Sequence, residues 1–202
     1  MRVGVLGTGT VGRTIAAKLR ELGHDVLVGS RTAGDDAVPF PDAAAHGELV
    51  FNCTAGGASL EVVRAAGSEN LAGKILVDVS NPLDFSQGTP PRLAVCNDDS
   101  VGEQLQRELP ETRVVKALNT VTAAVMVDPS AVPGEHDLFM SGNDAAAKAE
   151  VSELLQSFGW PPDGIVDLGD IAGARGQEMY LPLWLRLMGA VGSPRFNIKV
   201  VD

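Results

Sequence analysis

Cysteine is scarce in this chain, and its two copies, Cys53 and Cys96, are too few for a disulfide framework and have no metal-ligand spacing. Reduced, half-buried thiols are expected. With no base beside either of them in sequence, neither is read as a catalytic nucleophile. Long apolar runs are also missing: no stretch approaches the roughly 20 residues that cross a bilayer, and the opening MRVGVLG breaks at a glycine where a signal peptide would continue. The expectation is a cytoplasmic protein with no membrane contact and no leader. Basic charge is short too, because 16 Lys and Arg stand against 26 Asp and Glu, and a net charge of −10 argues against nucleic acid as a partner. The sequence has no nucleophile elbow in Ser, His, Asp order, no H-E-x-x-H pair and no clustered Cys and His, so no metal site is expected. Its three histidines are His24, His46 and His136. The first two flank strand starts and read as surface residues; His136 lies in a loop and is a candidate for a substrate contact.

What the chain does contain is a regular alternation of short apolar segments with helical stretches. Its 202 residues suit one α/β domain with a short appendage. Residues 2–6 are an apolar run, residues 11–22 place Val11, Ile15, Leu19 and Leu22 at helical spacing, and Gly23 then ends the helix. Residues 25–29 form a second buried strand. Further strands are expected at 49–53, 75–79, 113–117, 138–141 and 164–168, with helices at 58–66, 100–109 and 144–158. This pattern predicts a Rossmann-type, doubly wound α/β fold on a mainly parallel sheet. Residues 84–92 and 128–137 are loops by composition.

The last thirty residues differ. Tyr180, Leu183, Trp184, Leu187, Met188 and Val191 form an apolar stripe started or kinked at Pro182, and SPRFNIKVV reads as a terminal strand. A dinucleotide-binding domain over 1–170 and a small helix-plus-strand lobe over 171–202 are therefore expected. The stripe packs on its own sheet or on a twin subunit, as in a homodimer, or else lines a planar cofactor.

The chemistry is concentrated in Gly7-Thr8-Gly9-Thr10-Val11-Gly12, a G-x-G-x-x-G that follows a strand and opens a helix. Gly7 permits the tight turn, Gly9 lets a pyrophosphate approach the backbone, and Gly12 lets helix and strand pack closely. The amides of the helix start then receive the phosphates. Selectivity is read about 20 residues beyond the motif, where an NAD site carries Asp or Glu for the ribose hydroxyl. Here Ser30, Arg31 and Thr32 stand instead, two hydroxyls and a guanidinium suited to a 2′-phosphate. NADP(H) rather than NAD(H) is expected. Charge distribution agrees: residues 1–32 hold five basic and two acidic side chains and 171–202 four and two, which leaves seven and 22 between them. A polyanion is drawn to the ends of the chain if these meet in space.

Loops at the carboxyl ends of later strands carry Thr54, Ala55, Ser80, Asn81, Pro82 and Asn119, where ligands of open α/β sheets bind. Asn81-Pro82 reads equally as a plain turn, and Asn119 as a helix cap. Lys116 reads as either a strand-end surface charge or a catalytic group. No catalytic side chain is singled out, which suits hydride transfer between two cofactors, a reaction that needs alignment more than a side-chain acid.

Taken together, MRVGVLGTGTVG, VGSR, DVSNPL, VVKALNTV, GDIAGAR and RFNIKVV resemble the NADPH-dependent coenzyme F420 reductases and the small NADP-binding oxidoreductases around them. The resemblance implies an oxidoreductase that exchanges a hydride between NADP(H) and a deazaflavin or flavin, F420 first. It implies that Thr8, Thr10, Val11, Ser30 and Arg31 hold NADP, and that Thr54, Ala55, Ser80 and Asn119 border the nicotinamide. The same signature opens the soluble portion of membrane ferric reductases, which pass electrons from NADPH to a flavin. A non-catalytic NADP(H) sensor is the alternative from another class.

Overall fold

The computed structural model describes residues 1–34 and 36–201. Ten strands alternate with nine helices among them. In chain order they are β1 (Arg2–Leu6), α1 (Thr10–Glu21), β2 (Asp25–Ser30), β3 (Val38–Pro39), α2 (Phe40–His46), β4 (Leu49–Asn52), α3 (Gly56–Ala66), α4 (Ser68–Leu71) and β5 (Ile75–Asp78). Then come β6 (Leu83–Asp84), β7 (Arg92–Leu93), α5 (Val101–Glu108), β8 (Arg113–Ala117), α6 (Ala123–Val127), β9 (Leu138–Gly142), α7 (Ala145–Ser157), β10 (Ile165–Asp167), α8 (Ala174–Met179) and α9 (Leu181–Val191).

Eight strands form one sheet in the order β10-β9-β8-β5-β4-β1-β2-β3, while β6 and β7 pair as a separate hairpin. All neighbours run parallel except β8 and β9, whose register is Val115 to Gly142. A sheet buried on both faces needs apolar side chains at successive positions. Val3, Val5, Phe51, Val77 and Val115 accordingly point into one core with α1 and α7, and Leu6, Val50, Leu76 and Val114 into the other with α3 and α5. The chain leaves β1 outward through β2 and β3, then returns to β1's other side as β4. That reversal opens a crevice between the carboxyl ends of β1 and β4, the usual ligand position in such sheets.

At the C-terminus Pro182 stands in the first turn of α9, where its missing N–H costs nothing, and so starts the helix. One expectation changes: among the described residues the terminal strand is absent. Although residues 193–201 alternate like a strand, they are held mainly by the side chain of Asp137, whose carboxylate takes Val200 N at 2.7 Å and Lys199 Nζ at 3.0 Å. One backbone bond, Asp137 N to Ile198 O at 2.8 Å, does not make a ladder. Phe196 stacks on Trp184 with ring centroids 5.4 Å apart, folding the tail back onto α9. Among the described residues, no helix is long and apolar enough to cross a membrane.

Candidate functional site

The glycine loop is shaped by close approaches that only glycine permits. Gly7 has φ of +123°, and a Cβ there would lie 2.9 Å from Cys53 O across the crevice. A Cβ on Gly12 would lie 2.1 Å from Gly7 O, so α1 could not seat against β1. Around Gly9 the same construction meets nothing within 4 Å: the space beside it is open. No side chain caps α1, and its first amides face that space without a side-chain acceptor. Arg13 Nε donates to Thr8 O at 2.8 Å and braces the loop from the first helical turn.

A cleft of about 740 Å³ opens from this loop, lined by Gly7, Thr8, Gly9, Ser30, Arg31, Thr32, Thr54 and Ala55. It shares Cys53, Thr54 and Ala55 with a second cavity of about 270 Å³ that Val11, Ser80, Asn81, Leu83 and Phe85 complete. Most sequence-derived candidates therefore meet along one trough. Four do not line it. Thr10 is exposed at the first residue of α1. Gly12 packs beneath the loop. Pro82 is buried behind Asn81, and its carbonyl accepts from Ala94 N at 2.8 Å to shape the hairpin. Asn119 is buried and caps no helix: its Nδ2 donates to Asn81 Oδ1 at 2.9 Å, and its carbonyl accepts from Asn81 Nδ2 at 2.8 Å.

Beneath the trough lies a buried charge cluster. Lys116 is fully buried, not the surface charge its strand-end position suggests, and its Nζ stands 2.8 Å from both Asp78 Oδ2 and Glu178 Oε1 while also donating to Ser80 O. Burial alone would lower its pKa, but the flanking carboxylates Asp78 and Glu178 outweigh burial and hold it above the ordinary value. Burial raises Glu178 against the pull of Lys116. Two carboxylates against one ammonium leave a formal excess of negative charge, and N–H donors spread it. Asp78 Oδ1 accepts from Asn52 Nδ2 at 2.9 Å and Ser80 N at 3.1 Å. Glu178 accepts from Val101 N at 2.9 Å and Gly102 N at 3.1 Å, the positive end of α5. A lysine between apolar neighbours in a parallel strand already requires a buried partner, the signal that a reading by strand-end position passes over.

The remaining candidates fall into place by burial. Burial also pushes the Cys53 thiol up, which keeps it protonated and unreactive. Cys53 and Cys96 are both free and half-buried. His136 does not line this trough: it is buried elsewhere, with Nε2 3.0 Å from Pro129 O, Nδ1 3.0 Å from Asn197 Nδ2 and its ring edge-on to Trp160. One contributor was not among the sequence candidates: Phe85 stands at the cavity lip with 59% of its surface exposed. Ser80, which was among them, is buried in the same cavity, and among the described residues its hydroxyl has no partner.

Residues 2–82 match the family model described as "NADP oxidoreductase coenzyme F420-dependent". The F420-dependent NADP reductase of Methanocaldococcus jannaschii is 32% identical over 164 residues, covering 80% of this chain and 71% of that protein. Metalloreductase STEAP3 of Rattus norvegicus is 33% identical over 199 residues, covering 91% of this chain, which spans only 38% of that longer protein. A crystal structure from Arthrobacter sp. FB24, provisionally named an F420-dependent NADP-reductase, superposes with a TM-score of 0.95 at 51% identity over the whole of both chains. With a glycine loop at the β1–β4 crevice, and with relatives aligned well beyond that loop, the chain belongs to the coenzyme F420-dependent NADP oxidoreductase family.

Proposed function

We propose that this protein exchanges a hydride between NADP(H) and a tricyclic deazaflavin or flavin ring, with coenzyme F420 the first candidate. The observation that carries the reading is one trough running from Ser30, Arg31 and Thr32 past Gly9 to Ser80 and Phe85. Its residues fit a dinucleotide: open space beside Gly9, uncapped helix amides, and a buried Ser80 hydroxyl still lacking a partner. When bound, NADPH supplies the hydride.

The chain's part is to hold and align. The α1 amides take the pyrophosphate, Arg31 with the hydroxyls of Ser30 and Thr32 takes the 2′-phosphate, and Ser80 and Asn81 floor the nicotinamide end beside Thr54 and Ala55. In this reading residues 1–170 bind the dinucleotide and residues 171–202 form the lobe. Phe85 offers an apolar face at the lip, where a planar ring would rest. Mixing the protein with NADPH and either F420 or FMN tests the reaction: bleaching of one acceptor's absorbance is expected, and turnover of neither removes the reading. Flavin is the second acceptor because the glycine-loop signature resembles that of the flavin-linked ferric reductases, and the two arms separate the rings.

For selectivity, Arg31→Ala is expected to weaken NADPH binding by roughly 1.5–3 kcal/mol, the range for hydrogen bonds to charged groups, while NADH binding hardly moves. Calorimetry showing equal losses for both nucleotides removes Arg31 from the 2′-phosphate. A second copy of the chain is proposed to cover α9, where Leu183 and Val191 are 55% and 56% exposed. Light scattering that finds only monomer rejects that pairing.

A further inference from the structure

Two neighbouring residues of α8, Gln177 and Glu178, are buried at the carboxyl end of the sheet and each starts a polar chain toward the trough. Glu178 reaches Lys116 Nζ at 2.8 Å, and Lys116 donates onward to Ser80 O. Gln177 Nε2 donates to Asn119 Oδ1 at 3.2 Å, and Asn119 Nδ2 donates to Asn81 Oδ1 at 2.9 Å. Each chain has one side chain between its ends, and the two finish on adjacent residues that line the smaller cavity. Lys116 is fixed within β8, and Asn119 sits in an unusual turn just after it, in which buried Leu118 takes φ of +65°, a conformation L-residues seldom adopt.

The starting points are equally fixed. Gln177 Oε1 accepts from Ser141 Oγ at 2.6 Å, and its Nε2 also donates to Phe139 O at 3.1 Å. Glu178 binds the first amides of α5. Arg175, one turn earlier, donates to both oxygens of Glu103 at 2.8 and 2.6 Å. In a low-dielectric interior, such fully paired, directional chains hold their end groups in one geometry. Neither chain touches Gly9, Ser30 or Arg31, so only one end of the trough is tied to α8.

We propose that Gln177 and Glu178 are positioning residues for the nicotinamide end of the site, acting through Asn119 and Lys116 on Asn81 and Ser80. The inference rests on the reading of the smaller cavity as the nicotinamide pocket. It makes α8, far along the chain from the glycine motif, part of how the reacting ring is aligned.

The test compares a ligand confined to the adenosine end, 2′,5′-ADP, with whole NADPH. In Gln177→Met, with folding checked by its thermal melt, 2′,5′-ADP is expected to bind within about twofold of the wild type while NADPH binds about tenfold more weakly, the scale of one hydrogen bond. Steady-state turnover with the accepted ring should lose kcat more than it raises KM for that ring. A general structural role would weaken both ligands together. Equal losses, or no loss for either, overturn the proposal. Should Gln177→Met not fold, Glu178→Gln reads the same ratio through the other chain. A wild type that binds NADPH and 2′,5′-ADP while the variants show a flat ratio refutes the relay alone. A wild type that binds neither refutes the cofactor site and the relay with it.

Discussion

Lys116→Met is expected to lower stability by about 3–5 kcal/mol, the cost of removing one partner from a buried ion cluster. The methionine fills much of the lysine's volume, so the loss is electrostatic more than steric. What remains is Asp78 and Glu178, both buried, with only N–H donors to offset their charge. Against a total stability of about 5–15 kcal/mol this is a large fraction. With a urea m-value of about 2 kcal/mol/M, the unfolding midpoint should fall by about 1.5–2.5 M.

The sign of the pH dependence supplies a second check on the same variant. Burial already raises the Glu178 pKa above its ordinary value, and without the ammonium nothing pulls it back. Stability is then lost as pH rises through the folded value of Glu178 and regained as pH falls and it protonates. The deficit relative to wild type should accordingly shrink from neutral to mildly acidic pH, and adding Asp78→Asn should recover part of it. A midpoint shift under about 0.5 M at neutral pH would mean that the cluster contributes no more than an ordinary surface contact.

Lys116 also marks where the sequence stops being legible. Segments whose register depends on local pattern are readable almost to the residue: Arg2–Leu6 and Arg113–Ala117 are strands within the expected limits, and the helix expected over 144–158 is Ala145–Ser157. Their signal is an apolar run or a helical period, which one stretch of chain contains by itself. The partners of Lys116 are not local. Asp78 and Glu178 come from β5 and α8, so the residue's role depends on topology that no window around VVKAL displays. Its apolar flanks show that the charge is buried, but not by what it is matched.

Other misreadings have similar causes. α2 spans only Phe40–His46, too short to display a period, and residues 33–48 carry no expected element. The antiparallel run of β9 follows from the path of the connection after β8, not from the composition of Leu138–Gly142. RFNIKVV has a strand's alternation, yet Asp137 satisfies the tail first. At the site, the glycine loop and Ser30 to Thr32 are legible as the lining of the cleft because they are written in consecutive residues. The Ser80 and Asn81 floor was legible only as a location, since its supports in Gln177 and Glu178 are distant in sequence.

The glycine loop offers the most discriminating pair of variants, because Gly9 and Gly12 lie three residues apart and should fail in opposite ways. At Gly12 a methyl group would stand 2.1 Å from Gly7 O, a backbone atom that cannot rotate aside. Gly12→Ala must push α1 off β1, at a cost near the upper end of the roughly 1–3 kcal/mol of core overpacking, and NADPH binding should fall with it. Gly9 has a φ of −71°, compatible with alanine, and a Cβ there meets nothing within 4 Å. Gly9→Ala should therefore fold as well as wild type, or better by about 0.4–1 kcal/mol, through the smaller entropy of its unfolded chain. Its methyl group nevertheless occupies the space a pyrophosphate needs at the helix start, so NADPH affinity should drop by about a hundredfold or more, close to 3 kcal/mol. Thermal melts and calorimetric titrations on both variants separate the effects. A Gly9→Ala protein that melts normally and still binds NADPH at wild-type strength would move the phosphates away from the α1 amides, and the cofactor out of this crevice.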